Sequence, residues 1–107
     1  MPRTGDLRVR LEVQIEFEIE SLNEDKYRKW RREMINALKG AFASVGLEII
    51  EGTGRINGES GSVKVQFQVR LIRDVRIGDA IRRAKVILAR RYGMKLKPGY
   101  VARSLPT

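Results

Sequence analysis

Residues 8–20 read Arg-Val-Arg-Leu-Glu-Val-Gln-Ile-Glu-Phe-Glu-Ile-Glu, and the alternation is unbroken. Val9, Leu11, Val13, Ile15, Phe17 and Ile19 fall on one side, with Arg8, Arg10, Glu12, Gln14, Glu16, Glu18 and Glu20 on the other. A period of two is the signature of a strand with one face buried and one wet. The chain is therefore expected to open with a long, half-buried strand. The same pattern returns downstream, where Val63, Val65, Phe67, Val69 and Leu71 alternate with Lys64, Gln66, Gln68 and Arg70.

Between these two stretches the period changes to that of a helix. Ser21-Leu22-Asn23-Glu24 spells a capping box, in which the Ser21 hydroxyl accepts from the backbone three residues on and Glu24 reaches back. Tyr27, Trp30, Met34, Ile35, Leu38, Ala41, Phe42 and Val45 then form one apolar stripe, weakened a little by Gly40, and Gly46 stands where a left-handed cap is wanted. Leu47–Glu51 reads as a short strand. Gly52–Gly61, with four glycines, reads as a hairpin connection or a bulged strand end. A second helix is expected from about Ile77 to Tyr92, with Ile77, Ala80, Ile81, Ala84 and Leu88 on its stripe and Gly93 as its stop. After Pro98-Gly99, Tyr100–Leu105 reads as a short edge strand.

The order β-α-β-β-α, closed by a short C-terminal β, is similar to that of the split βαβ or ferredoxin-like two-layer sandwich. That architecture is an α+β fold in which both helices cover one face of an antiparallel sheet. Right-handed crossovers would set the strand beginning at Val63 between the first strand and Leu47–Glu51. At 107 residues the chain is expected to form a single domain over 1–107, since two cores would each need roughly 50 residues. Residues 1–7 and 104–107 are expected as flexible ends.

Composition narrows the function. With 42% hydrophobic and 33% charged residues the chain is a globular protein and not a basic tail. There is no cysteine to make a disulfide or a thiolate metal site. There is no histidine either, so the usual general base near neutral pH and the commonest metal ligand are missing. No serine stands in a recognisable nucleophile setting, and these gaps argue against an enzyme and call for no cofactor. No apolar stretch reads as a signal peptide or membrane span, so a cytoplasmic or virion-internal location is expected. Fifteen Arg against seven Lys, without Cys, fits a thermophilic origin.

Charge is the most pointed signal. Residues 61–107 hold twelve Lys or Arg against Asp74 and Asp79, a net +10, whereas residues 1–60 hold ten against eleven acids, a net −1. A strongly cationic half presents a surface suited to a polyphosphate backbone. Arg82, Arg83 and Arg90 are expected on the outer side of the second helix, with Arg91, Lys95 and Lys97 continuing past its end. Arginine forks match phosphate oxygens two bonds at a time without reading sequence. On the first helix Arg28, Lys29 and Arg32 add to this, partly offset by Glu24, Asp25 and Glu33. Arg55, in the glycine-rich segment, offers a further contact from a mobile loop.

Competing readings are weaker. Tyr27 and Trp30 sit on or beside the apolar stripe, where aromatics serve core burial. Neither amphipathic strand offers an aromatic on its polar side to stack a base, and pairing should set glutamates of the first strand opposite Lys64 and Arg70. Glu16, Glu18 and Glu20 stand about 6.8 Å apart along a strand, too far to chelate one ion easily. Gly58-Glu59-Ser60-Gly61 has a GxxG spelling, but it precedes a strand instead of joining two helices. The expected function is a non-catalytic nucleic-acid-binding protein, with RNA or single strands favoured because no helix-turn-helix, zinc finger or basic zipper is spelled. The alternative is a structural or protein-interaction module, such as a small virion or ribonucleoprotein component that forms homo-oligomers through its sheet.

Overall fold

The two alternating stretches find each other and run antiparallel through the middle of the molecule. The computed structural model describes residues 10–59 and 61–105, and the expected flexible stretch 1–7 lies outside them. In chain order the elements are β1 (Arg10–Glu18), α1 (Glu24–Ser44), β2 (Leu47–Ile49), β3 (Arg55–Glu59), β4 (Ser62–Leu71), α2 (Ile77–Tyr92) and β5 (Val101–Ser104). β1 pairs with β4 from Arg10 opposite Arg70 to Glu18 opposite Ser62. The sheet runs β2-β4-β1-β5, and β3 also pairs with β4; every pair is antiparallel. β2 lies against Val69–Leu71 and β3 against Ser62–Gln66, so the two short strands share one side of β4.

Both helices cover the same face. Val13, Ile15 and Phe17 of β1 and Val63, Phe67 and Val69 of β4 are buried against Met34, Leu38 and Phe42 of α1 and Ile81, Ala84 and Leu88 of α2. Each fully buried Val, Leu, Ile or Phe contributes about 1.5–3 kcal/mol over exposure, and this sum drives the layers together. The Phe42 and Phe67 rings meet edge to face at 5.1 Å, fixing how α1 sits on β4. Trp30 turns its edge to Phe17 at 5.7 Å and Tyr27 stacks beside it, so both aromatics belong to the rim of the core.

Several boundaries differ from the sequence reading. α1 is capped not by Ser21 but by Asn23, whose side chain accepts from the Lys26 amide at 2.9 Å. Asparagine caps as well as serine does, and a start at Glu24 keeps the apolar stripe in register with the core. The glycine-rich segment splits into an excursion over 50–54 and the strand β3. α2 ends at Tyr92, with Gly93 at φ 67° donating its N–H to the Leu88 carbonyl. Ser104 and Leu105, expected in a flexible end, are paired: the Leu105 amide donates to the Arg10 carbonyl at 3.0 Å.

Candidate nucleic-acid interface

The two faces of the molecule carry their cations in different ways. On the helical face α2 turns Ala80, Ile81, Ala84 and Leu88 inward, which leaves Arg82, Arg83 and Arg90 exposed, with Arg91 exposed at the helix end. Asp79 is the one acid of this helix, and it takes Arg82 at 2.6 Å. On α1, Glu24 takes Arg28 at 2.8 Å, while Lys29 and Arg32 stay exposed. Among the described residues Arg83, Arg90, Arg91, Lys29 and Arg32 form no ion pair. The two helices meet where the Tyr92 hydroxyl lies over Gly40, at 2.8 Å from where a Cβ would be, so their outer sides belong to one layer.

On the open sheet face three cations are engaged by carboxylates, while Arg10, Arg55 and Lys64 form no ion pair among the described residues. Arg103 of β5 donates from Nε to Glu12 at 2.9 Å and from Nη2 to the same oxygen. Lys97 reaches Glu16 at 3.3 Å, and Arg70 donates to Glu48 of β2. The Arg103 hydrogen bond, with help from Gln66, holds the Glu12 carboxyl below the usual carboxylate range. Lys97, with help from Ser62, does the same for Glu16, although partial burial pulls the other way. The expected pairing of β1 glutamates with Lys64 and Arg70 is therefore half met. Glu16 stands opposite Lys64, but Arg10 stands opposite Arg70, which turns to β2 for its partner.

The ten cations singled out from sequence thus divide. Arg82, Arg83, Arg90, Arg91, Arg28, Lys29 and Arg32 share the helical layer. Arg55 does not join them: it sits in β3 opposite Gln66, on the sheet's open face and near enough to favour the ionised form of Glu12. Lys97 is also on that face, because the chain past α2 turns back along β1, where the Lys97 amide donates to Glu16 and the Glu18 amide to the Lys95 carbonyl. Lys95 brackets that turn near Glu18 rather than extending the helical cluster.

Sequence reasoning passed over Lys85. Its ammonium donates to the carbonyls of Lys97 at 2.9 Å and Gly99 at 2.6 Å, fastening the turn before β5 to α2. Burial pushes its pKa down, and the two carbonyls offset that cost. The available signal was its position, one turn after Ile81 and three residues before Leu88, at the margin of the apolar stripe. No group of three metal-ligating side chains comes together among the described residues, and none of their helices is long and apolar enough to cross a membrane.

No family model matches the chain, and no curated protein does. Among solved structures, the chain superposes on the de novo designed protein Ferredog-Diesel with a TM-score of 0.45 at 16% identity, over 88% of this chain and 83% of that one. It superposes on the de novo designed protein Foldit4 with a TM-score of 0.41, also at 16% identity, over 92% of this chain and 98% of the other.

Proposed function

We propose that this chain is a non-catalytic nucleic-acid-binding protein of ferredoxin-like fold that grips phosphates with its helical layer. The fold reading takes β2 and β3 as two pieces of one edge strand, interrupted over 50–54. With that count the order becomes β-α-β-β-α-β, with β4 between the edge strand and β1. The function reading rests on one contrast. Arg103, Lys97 and Arg70 on the sheet face spend their charge on Glu12, Glu16 and Glu48, whereas Arg83, Arg90, Arg91, Lys29 and Arg32 on the helical layer have no such partners among the described residues. Unengaged cations on one layer suit phosphate contact without base readout. RNA or single-stranded nucleic acid is favoured, and a cytoplasmic or virion-internal setting goes with that reading.

The test is a panel of gel shifts with single- and double-stranded DNA and RNA at two salt concentrations. Binding should weaken steeply with salt, and a constant that stays flat would reject the proposal. A second reading, assembly through the sheet, draws on Val101, which stands 55% exposed opposite Gln14 on the polar face. Sedimentation that shows a monomer at high concentration would remove it.

A further inference from the structure

The edge of the sheet opens between β2, which ends at Ile49, and β3, which begins at Arg55. After Ile50, whose amide still donates to the Gln68 carbonyl at 2.9 Å, residues 51–54 leave β4 without fraying. The Thr53 hydroxyl accepts from the Gln68 amide at 3.0 Å, standing in for the missing strand, and donates to the Ile50 carbonyl at 2.6 Å. A side chain that meets the backbone needs of both sides holds the gap open. Between the excursion and α1 lies a cavity of about 310 Å³, with Ile35, Leu38, Ile49, Ile56, Val65 and Phe67 in its walls. It has room for about ten waters at roughly 30 Å³ each, but such walls give water few partners. An apolar body would release that water and gain contacts with the walls.

The rim carries charge. Arg31, Lys39 and Glu51 line it, and the Lys39 ammonium stands 3.3 Å from the Glu51 carboxylate in an exposed and weakly held pair. Arg31 has its guanidinium carbon 5.9 Å from the Tyr27 ring centre and pairs with no carboxylate among the described residues. Two cations against one acid, around a greasy interior, select for one kind of occupant. We infer that the cavity binds a small amphiphile with a compact apolar body and an anionic head group, the body against the isoleucines and the head at the rim beside Lys39, where Arg31 adds to the positive field. The site lies on the flank of α1 that faces the edge strand and does not depend on the nucleic-acid reading.

The test is a two-dimensional amide NMR titration of the full chain with decanoate, and with decyltrimethylammonium as the cation of matched body. Decanoate should give saturable shifts confined to α1, residues 49–56 and the middle of β4, with a Kd of about 0.1–1 mM. The cation should bind at least several-fold more weakly. Glu51→Gln should tighten decanoate binding roughly two- to fivefold, because it removes the competitor for Lys39, and Arg31→Ala should weaken it by a similar factor. A structural role for Glu51 would not predict a gain. Gly54 lines the cavity and a Cβ there meets nothing within 4 Å, so Gly54→Trp is tolerated by the backbone and should weaken or abolish the shifts by filling the mouth. Equal binding of the cation, weaker decanoate binding in Glu51→Gln, or decanoate shifts spread over the whole spectrum would overturn the assignment. Arg31→Ala and Glu51→Gln alter exposed side chains and should leave stability nearly unchanged, so the test stands whatever Gly54→Trp does.

Discussion

Replacing Arg83, Arg90 and Arg91 together with Ala tests the helical layer as a phosphate grip. These three and Lys29 and Arg32 are the cations singled out from sequence that stand on it without a carboxylate partner among the described residues. If each neutralises one phosphate, the logarithm of the binding constant should fall against that of salt with a slope of about −3.5 for single strands or −4.5 for duplex. A fourfold rise in salt would then weaken wild-type binding roughly 100- to 500-fold. The triple variant keeps Lys29 and Arg32, so its slope should shrink to about −1.4 to −1.8, and the same salt rise should cost it only about tenfold. Folding should change by no more than about 0.5 kcal/mol per site, because all three side chains are exposed. Gel shifts or fluorescence anisotropy across four salt concentrations read the slope directly. Arg82 supplies an internal control, since Asp79 holds it at 2.6 Å. Asp79→Asn should steepen the slope by up to about one contact, while costing about 0.3–1 kcal/mol of stability at the helix N-terminus. If the triple variant binds like wild type while Lys64→Ala with Arg70→Ala loses binding, the sheet face is the interface and the assignment of surfaces fails.

Other perturbations probe the scaffold. Gly40→Ala should stabilise the protein by about 0.5–1 kcal/mol in a Tyr92→Phe background, where the nearest ring atom is left at 3.8 Å, but not in the wild type, where the Tyr92 hydroxyl blocks a Cβ at 2.8 Å. Urea denaturation of the four proteins settles it, and an equal effect in both backgrounds would contradict the contact. Thr53→Val keeps the shape but leaves the Gln68 amide without its acceptor, so it should cost about 1–3 kcal/mol in the same assay. Glu12 and Glu16 have carboxyls held below their ordinary value of 4.5, so the folded state binds fewer protons than the unfolded one. Their stabilising contribution is complete above that pH and is lost as pH falls through the folded values. Replacing both with Gln should flatten the acid limb of a stability-versus-pH curve below about pH 4.5, and an unchanged limb would show that other groups set it.

Much of the frame was legible because it depends on local periodicity. The inside-outside alternation of Leu11–Phe17 and Val63–Val69 determines two half-buried strands wherever they lie, and the spacing of Ile77, Ala80, Ile81, Ala84 and Leu88, closed by Gly93, determines α2 at both ends. The unbalanced charge after Gly61 is also a property of sequence alone. Which surface receives a given charge is not. Lys97 looks like an extension of the basic helix until the chain doubles back along β1 and brings it to Glu16. Arg55 looks like a loop residue until β3 pairs with β4 and sets it opposite Gln66. On its β1 side Arg70 faces Arg10 and not a glutamate, because register is fixed by the whole β1–β4 ladder and not by any one pair. The cavity likewise has no sequence signal, since its walls come from α1, β2, β3 and β4 and its mouth exists only because one hydroxyl, Thr53, replaces a strand. Periodicity fixes which side of an element is buried; only the packed layers decide what the other side meets.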